Sequence, residues 1–178
     1  MYMGLMSKTN LDLWNIQSKT LVKQYEVKAN FWLGIRSLNG TVDSLFIFFQ
    51  QEEGEIHQWS TETQEIVHTY NLNALILDIV VTNDLEKNCM YCSSERYVFG
   101  IDIPSKTEMW KIPHPEANYI YLVMSADNKK LMSNAYGPYI FVIDLDQGPE
   151  QEITKFDIIK DSGWVLFELS LDGKTLVQ

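Results

Sequence analysis

Two cysteines three positions apart are the first residues in this chain whose type and spacing could carry chemistry. Cys89-Met90-Tyr91-Cys92 has the spacing of a redox motif or of half a zinc site. A reactive thiol of such a motif begins a helix, where the dipole lowers its pKa. The residues around this pair favour a strand, in which residues three apart point to opposite faces. No second pair and no neighbouring histidine completes a four-ligand zinc shell, so we expect both thiols to pack as small apolar side chains.

The three histidines are the natural candidates for general acid–base chemistry. His57 and His68 fall on the two strands of one predicted hairpin, where side-chain packing is the simpler role. His114 stands between Pro113 and Pro115 in a predicted loop, so we expect it to be exposed and rigidly presented to a partner. A lone loop histidine is weak evidence for a general base, which needs a partner within hydrogen-bonding reach.

Two acidic features complete the candidate chemistry. The turn Gln50-Gln51-Glu52-Glu53-Gly54 lacks the alternate carboxylates and bidentate glutamate of a calcium loop, which favours a solvated hairpin tip. Asp78 stands inside an apolar strand, where a buried unpaired carboxylate costs several kcal/mol. The motifs of nucleophilic hydrolases, zinc proteases and phosphate-binding loops are absent. We therefore expect no catalytic residue, no metal and no cofactor.

Composition narrows the classes of function. The chain has 178 residues, of which 46% are apolar and 21% charged, and 14 basic against 24 acidic residues give a net charge of −10. Such a chain has no electrostatic hold on nucleic acid or anionic lipid. Its longest apolar run, Leu45–Phe49, is far short of the ~20 residues that span a bilayer. Two cysteines suit a reducing compartment, so we expect a soluble protein of the cytoplasm that binds neither nucleic acid nor membrane.

The elements that must position these residues are short strands. β-Branched and aromatic runs recur between polar turns, and no window keeps helical periodicity for three turns. The clearest predicted strands are Val42–Phe49, Ala74–Thr82, Tyr97–Ile103, Tyr119–Ser125, Tyr139–Leu145 and Trp164–Ser170. The predicted turns include Asn39-Gly40, Asp127-Asn128, Gly137-Pro138, Gly148-Pro149 and Asp172-Gly173. The pattern predicts an all-β, antiparallel fold.

The strands repeat with a period of 42 to 45 residues. Four anchor positions, each at the end of a strand and before a polar turn, follow one another in steps of 45, 42 and 42. The anchors are Trp14, Trp59, Ile101 and Ile143. A second repeated hairpin pairs Ser125 with Ser170 and Asp127 with Asp172. Because one four-stranded sheet cannot bury both faces alone, successive sheets must stack, which predicts a β-propeller whose first strands border a water-filled channel that Asp78 would face.

The predicted units define one propeller domain over residues 1–178. Three complete blades span residues 29–72, 73–113 and 114–160, with partial blades at 1–28 and 161–178. Propellers have four to eight blades, so about four blades' worth could close a small ring. We instead expect an incomplete ring: a fragment, a truncated product, or a half that another chain completes. Its open strand edges would favour association.

Two segments resemble the hairpins of WD-repeat propellers. Residues 13–22 resemble the hairpin of the third and fourth strands, and residues 169–176 that of the first and second. Trp14-Asn15 and Trp59-Ser60 stand where the Trp-Asp pair would be, while Ile101-Asp102 and Ile143-Asp144 keep the acid. Of the Gly-His pair between repeats only His114 is near, so we expect the side-chain network of such blades to be missing from most repeats. The resemblance implies degenerate repeats and an assembly platform.

The leading hypothesis is therefore a non-catalytic protein-interaction scaffold. Function in such folds resides in loops, and the loops between second and third strands share one rim with those that link blades. A protein partner with a basic patch would suit the negative charge. The candidate partner-binding residues are Asn30, Tyr70, Asn71, His114, Pro115, Glu116, Glu52, Glu53, Glu95, Arg96, Tyr136 and Pro138.

Two other hypotheses stay open. A propeller-type enzyme, such as a lactonase-like hydrolase or a quinoprotein, could bring Asp78, Glu95 and His114 together at the channel. Such chemistry draws residues from every blade, and this chain supplies about four. A purely structural subunit of a large assembly is the third reading.

Overall fold

The computed structural model describes residues 2–6, 10–26, 38–41, 43, 45–50, 54–84, 86–114, 121–134, 139–150, 153–157, 168–169 and 176–177. The chain divides into two compact units, Met1–Ile76 and Leu77–Gln178. Every strand pairing in them is antiparallel, and the described residues contain no α-helix. The predicted all-β fold is confirmed.

The first unit contains two sheets of sequentially paired strands. Blade 1 has three strands and blade 2 has four, and in each sheet the strand order follows the chain. The strands of blade 1 are β1 (Tyr2–Met6), β2 (Asn10–Asn15) and β3 (Thr20–Glu26). Those of blade 2 are β4 (Leu38–Gly40), β5 (Phe46–Gln50), β6 (Glu55–Ser60) and β7 (Glu65–Asn71).

The second unit continues the same pattern in three sheets. Blade 3 comprises β8 (Ile76–Val81), β9 (Cys89–Ser94), β10 (Tyr97–Asp102) and β11 (Thr107–Pro113). Blade 4 comprises β12 (Tyr121–Met124), β13 (Lys130–Asn134), β14 (Tyr139–Asp144) and β15 (Ile153–Asp157), with a 3₁₀ helix at Leu145–Glu150. Blade 5 is the pair β16 (Glu168–Leu169) and β17 (Leu176–Val177). Over the described residues the sheets fall within residues 2–26, 38–71, 76–113, 121–157 and 168–177, and the predicted blade boundaries stay predictions.

The anchor residues occupy the same structural position in successive blades. Each is the next-to-last residue of its strand (β2, β6, β10 and β14), and at Trp14, Trp59 and Ile101 a β-bulge directly precedes it in the pairing with the outer strand. A bulge adds one residue to the outer strand and bends it. The added residues are Val22, Val67 and Met109.

The residue after each anchor closes the turn that follows. The Asn15 Oδ1 accepts hydrogen bonds from the next turn's N–H groups at 2.9 and 3.0 Å, and Asp102 Oδ2 accepts one at 2.8 Å. Ser60 and Asp144 accept comparable bonds. Side-chain acceptors at this place stabilise a tight turn, which explains why Asn, Ser or Asp follows every anchor.

The turn between first and second strands is also repeated. Its first residue is Thr41, Thr82 or Ser125, whose hydroxyl accepts the N–H that begins the second strand at 2.9 to 3.1 Å. The carboxylate two residues later accepts a further backbone N–H in all three turns. Ser170 and Asp172, predicted to belong to the same motif, lie outside the described residues.

The core of the second unit lies between blades 3 and 4. Cys89, Tyr91, Val98 and Ile112 of blade 3 form one buried cluster with Leu122, Leu131 and Ile143 of blade 4. Both sheets therefore bury a face against each other, as stacking of modules requires. In the first unit Phe48, Ile56 and Trp59 are fully buried.

Three boundary predictions need correction. Asn39-Gly40 is not a turn but part of β4, and the turn lies at 41–45 because Thr41 and Asp43 supply its hydrogen bonds. The strand predicted from Val42 consequently begins only at Phe46. The turn predicted at Gly148-Pro149 is the end of the 3₁₀ helix.

Candidate interaction surface

The predicted rim is built where two loops of one blade meet. In blade 2 the N–H of Leu72, just after β7, donates to the carbonyl of Gly54 at 2.9 Å. In blade 3 the N–H of His114, just after β11, donates to the carbonyl of Arg96 at 2.8 Å. The loop between second and third strands is thus fastened to the chain that leaves the fourth strand. This end of blade 2, and likewise of blade 3, is called the rim below.

Glu95 and Arg96 are presented to solvent by a rigid turn. The Ser94 hydroxyl accepts the N–H groups of Arg96 and Tyr97 at 3.4 and 3.0 Å, and it donates to the Tyr97 carbonyl at 3.2 Å. Both charged residues are exposed, and within the described part of the chain neither side chain has an ion pair. Because the backbone of this turn is already held, binding has to order only the two side chains.

Asn71 is the third exposed rim residue. It ends β7, and its Oδ1 accepts the N–H of Asn73 at 3.1 Å. Asn73 itself has a φ of 50°, in the left-handed region that asparagine tolerates. The amide of Asn71 is therefore held at the rim with its NH₂ group directed away from this turn bond.

The expectation that His114 is exposed is wrong. The ring is buried, its Nε2 lies 2.8 Å from the Ser133 hydroxyl, and it meets the Phe141 ring edge-on at 4.7 Å between centroids. The bond from its own N–H to Arg96 turns the chain inward, and the Ser133 hydroxyl replaces water on the ring. The His114 side chain is therefore a buried packing residue next to the rim and not part of its exposed surface.

Tyr70 is likewise buried rather than a surface anchor. Its hydroxyl donates to Gln58 Oε1 at 3.0 Å, and His68 packs edge-on against its ring at 4.5 Å. The remaining predicted rim residues lie outside the described residues, and their roles stay predictions. They are Asn30, Glu52, Glu53, Pro115, Glu116, Tyr136 and Pro138.

The cysteine pair behaves as packing residues. Both thiols are free and buried, and the Cys89 Sγ donates to the Lys87 carbonyl at 2.8 Å. Burial raises the pKa of the Cys92 thiol well above its ordinary value, and the Asp78 carboxylate raises it further. Burial and then the Asp102 carboxylate raise the pKa of Cys89. A raised pKa depletes the nucleophilic thiolate at neutral pH.

Asp78 joins two first strands of the second unit. Its Oδ1 accepts the N–H of Ile79 at 2.9 Å, and its Oδ2 accepts the N–H of Leu122, on β12, at 2.9 Å. These bonds offset the desolvation of a half-buried carboxylate. Glu95 and His114 have other surroundings, namely an exposed turn and the Ser133–Phe141 site. Among the residues that the structure describes, no three His, Cys, Asp or Glu side chains are grouped so that they could hold a metal ion.

The remaining histidines take part in side-chain contacts within blade 2. The His57 Nδ1 lies 2.9 Å from the Thr69 hydroxyl, and its ring packs on Phe49 at 5.5 Å. Both histidines lie on the predicted hairpin, β6 and β7.

Over the described ranges, no helix is both long and apolar enough to cross a membrane.

Sequence reasoning missed the apolar side chains on the outer strands. Val67 and Met109, both bulge residues, are exposed. Both residues lie on a fourth strand, eight positions after the anchor of their blade. Exposed positions on such a strand are normally polar, so an apolar residue at this fixed place was the signal that the sequence offered.

Comparisons with known proteins identify the fold. No family model matches the chain, and no curated protein matches its sequence. A solved structure, the β-propeller domain of Myceliophteria thermophila Cps50 (Swd1), is similar with a TM-score of 0.76 and 12% sequence identity. The match covers 98% of this chain but 57% of that domain's chain. The chain thus has a β-propeller fold and spans little more than half the length of this structural neighbour.

Proposed function

We propose that this protein is a non-catalytic interaction module that binds a protein partner through its rim. The observation that carries the proposal is the Glu95–Arg96 turn. Its backbone is fixed by Ser94, and its two charged side chains have no ion pair within the described residues. The backbone of this turn closes the β9–β10 hairpin and accepts the N–H of His114, whereas its two charged side chains are available to a partner. The propeller fold of the structural neighbour agrees with this role.

The partner we propose is a protein with a basic patch. The net charge of −10 repels nucleic acid and anionic membranes and steers basic surfaces toward the chain. We further propose that the module acts in the cytoplasm and that unpaired propeller edges contribute to association.

We also propose that the blades are degenerate WD repeats. Asp102 and Asp144 stand after their anchors, at the position of the acid in a Trp-Asp pair, and accept N–H groups of the following turns. His114 follows β11 and bonds Ser133 in the second strand of blade 4. That bond supports the presence, in this repeat, of a side-chain hydrogen bond like those that link the strands of WD-repeat blades.

The test compares two charge swaps in blade 3 that leave its net charge unchanged. The rim variant combines Glu95→Lys with Arg96→Glu, and the matched control combines Lys106→Glu with Glu108→Lys at the opposite end of the blade. Proteins that copurify with tagged wild-type protein are quantified by mass spectrometry. We expect the control to retain them and the rim variant to lose at least about tenfold in affinity, which is ~1.4 kcal/mol.

Two results would contradict the proposal. The rim variant could retain the same proteins as wild type, or the purified protein could turn over a small molecule while capturing no protein. The association rate of a purified partner should also fall as salt rises, since steering between opposite charges is screened.

A further inference from the structure

Exposed apolar side chains are concentrated at one end of blades 1 and 2. Within the described residues eight large apolar side chains are exposed, and five belong to this part of the first unit. They are Ile16, Leu21, Leu45, Ile66 and Val67, with exposed fractions between 39% and 47%. A group of neighbouring exposed apolar side chains often marks an interaction site, whereas single exposed apolar residues are ordinary.

Two hydrogen bonds bring the segments that carry these side chains together. The N–H of Thr61, in the turn after β6, donates to the carbonyl of Leu45 at 2.9 Å. The Lys23 ammonium of β3 donates to the carbonyl of Gln64 in the same turn. Leu45 therefore adjoins the turn that leads into Ile66 and Val67, and β3 with Leu21 adjoins it from blade 1. We name this surface the apolar corner.

The strand β7 presents an open edge at the apolar corner. It is the last strand in the order β4-β5-β6-β7, so among the described strands none pairs with the outer side of its backbone. Trp59 pairs with Ile66 and Gln58 with His68, which leaves Val67 as the bulge residue. Lysine and proline, which protect many edge strands, are absent from β7, and the bulge at Val67 is the protective feature that this edge carries.

Charge on the blade 2 side of the apolar corner has one sign, while Lys19 and Lys23 lie on the blade 1 side. Residues 37–86 contain nine acidic residues and no lysine or arginine. Glu62 and Glu65, which flank the start of β7, are exposed and make no ion pair with any described residue. The nearest basic residue shown in contact with this turn is Lys23, which the Gln64 carbonyl engages. The blade 2 side of the corner therefore combines an apolar centre with carboxylates that make no ion pair with any described residue.

We propose that the apolar corner binds an extended segment of another protein in which apolar residues alternate with lysine or arginine. The segment lies along β7 as an added strand, and the backbone groups of the open edge provide hydrogen bonds. Its apolar side chains contact Ile66, Val67 and Leu45, and its basic side chains pair with Glu62 and Glu65. This site is distinct from the rim, because Glu65 and Asn71 are at opposite ends of β7.

The experiment uses a fluorescein-labelled ten-residue peptide of alternating lysine and valine, with binding followed by fluorescence anisotropy. Two control peptides are used, one with glutamate in place of lysine and one with a central proline, which cannot donate to an added strand. We expect the lysine–valine peptide to bind and to weaken as salt is added. We expect the glutamate peptide not to bind, and the proline peptide to bind at least about tenfold more weakly.

Matched variants locate the binding. Ile66→Ser with Val67→Ser removes the apolar centre, and Glu62→Gln with Glu65→Gln removes the charge. Each pair should weaken the peptide at least about tenfold, in keeping with loss of a binding hot spot. The control Glu108→Gln with Met109→Ser alters the equivalent bulge positions in β11 and should leave the affinity unchanged. Circular dichroism establishes that every variant is folded, and if the serine pair unfolds, the glutamine pair decides.

Several results would overturn the proposal. Equal binding by wild type and by both corner variants would show that the corner is not the site, and equal loss in the blade 3 control would show non-specific attraction. Light scattering could instead reveal a dimer that the serine pair dissociates while the peptide fails to bind, which would assign the corner to a second copy of this chain. Binding of the peptide to the Glu95→Lys/Arg96→Glu variant separates this site from the proposed rim function.

Discussion

A single methyl group at Gly100 should destabilise blade 3. Gly100 lies in β10 opposite Trp110 of β11 and Tyr91 of β9, and the two rings stack with centroids 5.6 Å apart. A Cβ built on Gly100 would meet the Trp110 Cε2 at 2.3 Å, Cζ2 at 2.6 Å and Nε1 at 2.7 Å. These distances are about 1 Å inside normal contact for carbon atoms. The indole therefore has to leave its place if Gly100→Ala is introduced.

The magnitude follows from two opposing effects. Overpacking of a filled site costs ~1–3 kcal/mol, and loss of an aromatic pair costs ~0.5–1.5 kcal/mol. Alanine in place of glycine stabilises the folded state by ~0.5–1 kcal/mol, because the unfolded chain then has less conformational entropy to lose when the strand forms. We expect Gly100→Ala to lower the free energy of unfolding by about 2 kcal/mol.

Urea unfolding followed by circular dichroism measures this change, and a double-mutant cycle identifies its cause. In a Trp110→Ala background the obstructing ring is absent, so adding Gly100→Ala should cost under about 0.5 kcal/mol. Gly40→Ala serves as a milder control, because among the described residues the nearest atom to its Cβ would be the Phe46 carbonyl oxygen at 3.3 Å. An equal cost of Gly100→Ala in both backgrounds would refute the steric explanation.

Two further predictions concern titratable groups. Because burial and Asp78 raise the pKa of Cys92, this thiol should react with a disulfide reagent at neutral pH only as fast as the unit unfolds, and rapid labelling of native protein would contradict its burial. The pKa of Asp146 is lowered by its hydrogen bond to the Lys129 ammonium, 3.1 Å away, and by the charges of Lys129 and Lys87. A carboxyl group whose pKa is lower in the folded state stabilises the fold at a pH above its unfolded-state pKa. This stabilisation is lost as the pH falls through the folded-state pKa. Lys129→Met should therefore raise the pKa of Asp146 in an NMR titration, and an unchanged value would show that Lys129 is not the cause.

The repeat could be predicted from sequence because its signals are local. The hydroxyl of Ser125 and the carboxylate of Asp127 close a hairpin within five residues of themselves. A side chain that acts over so short a distance leaves the same residue type at the same place in each module, here Thr41 and Thr82. The spacing of such residues, and of the anchors, is consequently visible in the chain itself.

The burial of rim residues could not be predicted in the same way. His114 is covered by Ser133, which is 19 positions away, and by Phe141 of a third strand. Nothing in the sequence next to His114 distinguishes this arrangement from an exposed loop between two prolines. Tyr70 is similar, since its partner Gln58 lies across the β6–β7 ladder.

By itself the sequence determined the order of strands and turns and the period of the repeat, because each turn is closed by side chains of its own residues. It also determined the sign of the surface charge, which depends only on composition. Tertiary structure decided which polar side chains remain in water, as the contrast between Arg96 and His114 shows. It also decided that bulges expose Val67 and Met109, because a bulge depends on the register between two strands rather than on either strand alone.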